Sequence, residues 1–250
     1  MNRPNVVSQT EWLAARKELL AREKEFTRQR DELSAARRKL PMVKVEKEYV
    51  FEGPKGPTSL GDLFDDRRQL IIYHFMFDPD WDEGCKGCSF FADNFVGSLV
   101  HLGARDTSFA VISRAPLSKI EGFKRRMGWG FPWLSSFGND FNYDFRVTLD
   151  PERPDYEYNY TNADALLKAG KIWFAKGELP GLSVFFRDGD NIFHTYSSYQ
   201  RGTDLFLNTY NFLDLTPLGR QEENEKMFDW LRHHDRYSRD SQNPTGAPGH

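Results

Sequence analysis

The first forty residues carry one sparse helical stripe. Trp12, Leu19, Phe26, Leu33 and Leu40 recur every seven residues, with little sustained apolar support at the second core position of a heptad. Ser8-Gln9-Thr10-Glu11 has the form of a capping box, Val7 and Trp12 sit where a hydrophobic staple would place them, and Pro41 is a stop. One long helix from Ser8 to Leu40 follows, an arm whose narrow stripe suits packing on another surface. A homodimer through this helix is the expectation.

From Met42 the period changes. Val43, Val45, Tyr49 and Phe51 predict an edge strand, ended by Gly53-Pro54-Lys55-Gly56-Pro57, and Leu60, Leu63 and Phe64 a short helix. Gln69 to Phe77 is nearly all apolar and too short for a buried helix, so it reads as a central strand covered on both faces. Helices are predicted over Phe90 to Leu102 and Leu117 to Met127, with a second buried strand, Thr107 to Ser113, between them. An aromatic stretch, Trp129 to Phe145, precedes a polar, Tyr-rich insertion at about 150–178 with a small helix around Ala163 to Ala169. Gly181 to Phe186 and Asn191 to Tyr196 flank Arg187-Asp188-Gly189-Asp190, a strong hairpin signal. Helices from Thr203 to Phe212 and Gln221 to His233 follow, and the Ser-, Asn-, Pro- and Gly-containing tail from Ser238 is expected to be disordered. The series implies an α/β fold, a central mixed sheet flanked by helices. The chain divides into an arm (1–41), a domain (42–215) and a C-terminal helix with its tail (216–250).

Composition narrows the function classes. The 250 residues include 21 Phe, 10 Tyr and 6 Trp, which favours a packed globule. A formal net charge of −3, with both signs interspersed along the arm, gives no pull toward nucleic acid or anionic membrane. No apolar run approaches the ~20 residues that span a bilayer, and the first residues lack the apolar core of a secretory signal. A cytoplasmic location is therefore expected.

The chain has two cysteines, Cys85 and Cys88, directly after the central strand and before a helix. A first cysteine so placed meets unpaired N–H groups and the helix dipole, which favour a thiolate, and Lys86 adds positive charge. Cys85 would then be the exposed nucleophile and Cys88, one turn later, the buried resolving thiol. No cofactor is required. A metal site is the competing reading, with His194 as a third ligand beside Cys85 and Cys88, although no second C-x-x-C or close His pair is present. Inert packing is a third. Trp129, Phe131, Trp133, Phe137 and Phe141 could wall an apolar pocket, or simply fill the core. His194 and Tyr196 alternate on one side of the hairpin, where His194 could transfer protons if that side faces the dithiol. His74, inside the central strand, reads as a satisfied core residue. Arg114 and Arg201 could receive an anionic substrate or form surface ion pairs.

Leu179-Pro180-Gly181-Leu182-Ser183-Val184-Phe185-Phe186 resembles the element of thioredoxin-like proteins in which a cis-proline opens the strand beside the dithiol. More specifically, the chain resembles a bacterial family named as a domain of unknown function (number 899), described as predicted dithiol-disulfide oxidoreductases. The resemblance runs from Glu11-Trp12-Leu13-Ala14-Ala15-Arg16 through Gly219-Arg220. It includes Gly84-Cys85-Lys86-Gly87-Cys88-Ser89-Phe90, Ser113-Arg114-Ala115-Pro116, Phe137-Gly138-Asn139-Asp140-Phe141-Asn142, Phe193-His194-Thr195-Tyr196-Ser197 and Leu213-Asp214-Leu215-Thr216-Pro217. It implies a thioredoxin-like fold and thiol–disulfide exchange with a protein or small-thiol partner, with Pro180, in cis, shaping the docking edge. Thioredoxin's own motif differs, having Trp and Gly-Pro where this chain has Gly84 and Lys86-Gly87. A peroxiredoxin-like peroxidase is the enzyme alternative, but Asp78-Pro79-Asp80-Trp81-Asp82-Glu83-Gly84 supplies that family's proline without its threonine.

Overall fold

The computed structural model describes residues 4–153, 157–171, 176–222 and 228–237. Helix α1 (Gln9–Arg37) begins at the expected capping box: Glu11 N–H donates to Ser8 Oγ at 3.3 Å and Ser8 N–H to Glu11 Oε2 at 2.9 Å. None of its 29 residues is buried, and Trp12, Leu19, Phe26 and Leu33 are all exposed. The helix stands as an arm held by its own hydrogen bonds.

The elements then run β1 (Val43–Lys44), β2 (Val50–Gly53), β3 (Gly56–Ser59), β4 (Gln69–His74), α2 (Lys86–Phe95), α3 (Leu99–Gly103), β5 (Thr107–Ser113), α4 (Leu117–Arg126), β6 (Trp133–Ser135) and α5 (Phe141–Asp144). They continue as β7 (Thr148–Leu149), β8 (Glu157–Tyr158), β9 (Thr161–Asn162), α6 (Ala163–Lys168), β10 (Gly177–Glu178), β11 (Gly181–Asp188), β12 (Asn191–Tyr199) and α7 (Asn208–Leu213). The predicted edge strand divides in two, because its halves pair on opposite sides of the sheet: β1 with β12, and β2 with β6 and β3.

Eight strands form one sheet in the order β1-β12-β11-β4-β5-β6-β2-β3. At its centre β4 is parallel to β5, β11 is antiparallel to β4, and β12 closes the hairpin on β11. A strand, the dithiol helix, a parallel strand, then an antiparallel hairpin on the other side of the first strand is the thioredoxin-like arrangement. Two clusters fill the two faces, as the period of two along a strand requires. Tyr73, Phe75, Val111 and Trp133 pack with α2 and α4 on one face; Leu70, Ile72, Ala110, Ile112 and Phe185 pack with Phe64 and Phe141 on the other.

The C-terminal segment differs from its sequence reading. The residues described within Gln221–His233 are not helical, and a single helical turn follows them among the described residues, at His234–Arg236. Leu231 is fully buried in the Cys88 cluster, so tertiary contacts rather than a local period set this segment's path. The tail from Ser238 lies outside the described residues.

Candidate functional site

Beyond β4 the chain runs through Phe75 and Met76, loops out, and returns so that Cys85 N–H donates to the Met76 carbonyl at 3.0 Å. Cys85 is thereby fixed as the N-cap of α2, which begins at Lys86, four residues before the Phe90 start expected from the sequence. The return needs a glycine: a Cβ on Gly84 would lie 2.7 Å from ring carbons of both Phe75 and Phe123. Both cysteines are free thiols, 4.1 Å apart. Cys85 is partly exposed and Cys88 is 2% exposed.

The surroundings separate the two sulfurs. The Cys88 side chain is the main influence on the Cys85 thiol, followed in the same direction by the backbone N–H groups of Cys88 and Gly87 and the charge of Lys86. Against the opposing effect of burial they lower it to about 7. Burial instead pushes Cys88 well up, and the neighbouring Cys85 adds to that. Cys88 keeps one compensating donor, the Met76 N–H, which points at its sulfur at 3.4 Å. The carboxylate nearest in sequence, Glu83, is turned away to Arg126 and Arg236. It is held low by them and does not oppose a thiolate at Cys85.

The family model for a bacterial protein of unknown function (DUF899) matches residues 1–237. The chain belongs to the DUF899 family. No curated protein matches it. Among solved structures it is similar to a cysteine-to-serine mutant of Xylella fastidiosa PrxQ, at 11% identity and a TM-score of 0.42, over 66% of this chain and 88% of that one. It is also similar to the peroxidoxin BcpB from Mycobacterium tuberculosis, at 15% identity and a TM-score of 0.43, over 68% and 95% of the two chains. A thiol:disulfide interchange protein from Bacteroides sp. follows at 11% identity and a TM-score of 0.39, over 70% and 91%.

Not every residue singled out in the sequence of this DUF899 protein reaches the dithiol. Lys86 does, as the first residue of α2. Pro180 sits one step before Gly181, which pairs with His74 across β4, so the register carries it level with Phe75 at the dithiol end of the strand. Its peptide bond is not cis: the described residues contain no cis peptide bond. Trans is the lower-energy form by about 0.5–1 kcal/mol unless the surroundings demand otherwise. Here Leu179 N–H reaches the Val147 carbonyl at 2.8 Å and the Pro180 carbonyl accepts from the Tyr158 hydroxyl at 2.7 Å, so the flanking backbone groups are satisfied as they stand. The proline's likeness to the family element therefore lies in its place, not in its isomer.

His194 and Tyr196 are brought together, but elsewhere. With Ser197 and Tyr160 they line a groove of about 710 Å³ beside the end of the arm. The His194 ring packs on Phe145 and Phe185, in the cluster on the far face of the sheet, so it does not join the cysteines as a third ligand. Among the described residues no three metal-ligating side chains converge. Trp129, Phe131 and Trp133 pack in the Cys88 cluster, Phe141 lies in the opposite one, and Phe137 is 56% exposed. Four of the rings thus fill core on two different faces and the fifth stays exposed, so the five do not wall one pocket; Trp129 donates its Nε1–H to Asp93 at 2.9 Å. Arg114 is paired with the buried Glu178 at 2.8 Å, and Arg201 with Asp204.

The residues that sequence reasoning missed come from distant segments. His233, nearly buried, donates from Nε2 to the Gly84 carbonyl at 2.9 Å, and Phe228 and Trp230, like Cys85, pack against the cluster that contains Cys88.

Proposed function

We propose that this protein is a thiol–disulfide oxidoreductase working through Cys85 and Cys88. The observation that carries the reading is the pair itself: two free thiols 4.1 Å apart at a helix N-terminus, the exposed one lowered to about 7 and the buried one raised. Cys85, as thiolate, attacks a substrate disulfide, and one substrate sulfur leaves as a thiolate. Cys88 then gives up its proton and attacks the Cys85 sulfur. The intramolecular disulfide forms, the bond from Cys85 to the substrate breaks, and the second substrate sulfur departs and takes up a proton. Two electrons have passed from the dithiol to the substrate, and an external thiol returns them. Lys86 supports the Cys85 thiolate electrostatically, and the Pro180 edge, level with Phe75, is the docking strand for a substrate protein or small thiol.

Cys88→Ser tests this directly. Mixed disulfides on Cys85 should accumulate with a model disulfide and be released by reductant, as read by intact-mass spectrometry. An absence of Cys85 adducts, or exchange that survives Cys85→Ser, would remove the reading.

A further inference from the structure

We propose that two copies of this chain associate through α1 as a parallel, in-register two-stranded coil. This surface lies outside the dithiol chemistry above. Helix α1 is 29 residues long, about four heptads, and none of them is buried. Within it Trp12, Leu19, Phe26 and Leu33 recur every seven residues, and they are between 48% and 65% exposed. The chain's own domain leaves them bare. The helix meets that domain near its last turn, where the Arg37 guanidinium lies 5.8 Å from the centre of the Tyr196 ring.

The charges flanking the stripe identify what covers it. One position before each of the four apolar residues stands a glutamate: Glu11, Glu18, Glu25 and Glu32. Four positions after each stand Arg16, Glu23, Arg30 and Arg37. With the apolar residues at position a of a heptad, the first set occupies g and the second e. In a parallel pair each g residue faces the e residue five positions further along the partner helix. That sets Glu11 against the partner's Arg16, Glu25 against the partner's Arg30 and Glu32 against the partner's Arg37. Glu18 meets the partner's Glu23, whose charge is already answered by Arg16 of its own helix at 2.8 Å. An antiparallel pair would set the four glutamates against four glutamates instead. The helix therefore carries both halves of a self-complementary interface, in the register of a parallel second copy. Its second core position holds Ala15, Arg22, Gln29 and Ala36. The alanines let the helices approach, and the stem of Arg22 covers apolar surface while its head stays in water. Gln29 is held to Glu25 of its own helix at 3.1 Å. With one large apolar residue per heptad, the association is expected to be weak and reversible.

Sedimentation velocity of the full chain over a concentration series should show a monomer–dimer equilibrium, and a monomer at every concentration would overturn the proposal. Phe26→Asp, at an exposed position, should weaken the dimer by more than about tenfold, because two unpaired carboxylates would meet in the seam. A dimer that survives this change has its interface elsewhere, which also overturns the proposal. Glu25→Arg sets like charges opposite each other twice per dimer and should weaken it by about three- to tenfold; adding Arg30→Glu should restore it. A single variant as tight as wild type, or a double variant as weak as the single one, would overturn the parallel register. Orientation has a separate readout. With Cys85→Ser and Cys88→Ser removing the native thiols, Leu33→Cys should form an intermolecular disulfide with its own copy under mild oxidation. In an antiparallel pair matched end to end those two positions would lie roughly 30 Å apart, so a dimer without that disulfide would overturn the parallel arrangement. None of these measurements reads thiol exchange, so their outcome is separate from that of the dithiol reading.

Discussion

Tyr73 and His74 are neighbours on β4, and the pleat sends them to opposite faces with opposite fates. On one face Tyr73 packs in the cluster that holds Cys88, a thiol whose protonation has to change for the proposed chemistry. On the other, His74 Nε2 bonds to Ser183 Oγ at 2.8 Å, Ser183 to Ser197 at 2.9 Å, and Ser197 to His194 Nε2 at 2.8 Å. That chain spends these groups on one another, under Phe141 and Phe145, while His74 Nδ1 is left buried without a hydrogen-bond partner. The contrast teaches that a buried polar group becomes chemically useful when its partner can exchange a bond, and becomes scaffold when its partners are fixed hydroxyls. Burial keeps His74 neutral, pushing it down to about 3.

The largest effect expected on stability comes from the cover of the dithiol face. Leu231 is fully buried there, so Leu231→Ala should cost about 2–5 kcal/mol in urea unfolding. If the variant is as stable as wild type, the C-terminal segment is not part of this core. Ser183→Ala probes the opposite face. It breaks two hydrogen bonds and leaves His74 Nε2 without its partner, an expected loss of about 1–3 kcal/mol. Exchange by the dithiol should remain within about twofold, and a large fall in exchange with an unchanged fold would mean the two faces are coupled.

Stability against pH sharpens the comparison further. His74 and His194 are both lowered from 6.5 by burial, so below that value the unfolded chain binds protons that the native state refuses, and stability is lost as pH falls. Glu178 runs the other way. Burial raises it from 4.5 to about 7, so between those values the native state holds the extra proton and stability falls as pH rises. Between about pH 6.5 and 4.5 Glu178 offsets one of the two histidine slopes, leaving a shallow loss of stability as pH falls that steepens below. In Glu178→Gln the steeper decline should already begin near pH 6.5, and a profile identical to wild type would show that Glu178 does not titrate there. The smallest effect belongs to Lys86, which comes last among the influences that lower Cys85. Lys86→Ala should raise the midpoint of Cys85 alkylation by a few tenths of a pH unit from about 7, within the range expected for one exposed charge. A shift of a full unit would make Lys86 a principal determinant.

Much of this protein is set by local rules that the chain displays openly. The capping box at Ser8, the strands Gln69–His74 and Thr107–Ser113, the Asp-Gly hairpin and the dithiol ahead of a helix each depend on neighbours within a few residues, so periodicity and turn chemistry reveal them. The order of those elements also carries the sheet topology, because a parallel pair needs a crossover and a hairpin does not. What only the tertiary structure decided is which side chains meet. His194 lies two strands from β4 and on the face away from the cysteines, a placement that depends on sheet order and on the bulge between Val184 and Phe185. The backbone groups around the trans bond before Pro180 find their partners at a Val147 carbonyl and a Tyr158 hydroxyl, both from distant segments. The descent of Leu231 and His233 onto the dithiol loop joins groups some 150 positions apart, such as His233 and Gly84. No window of sequence contains both partners of such a contact, and its energy exists only once the sheet has brought them together.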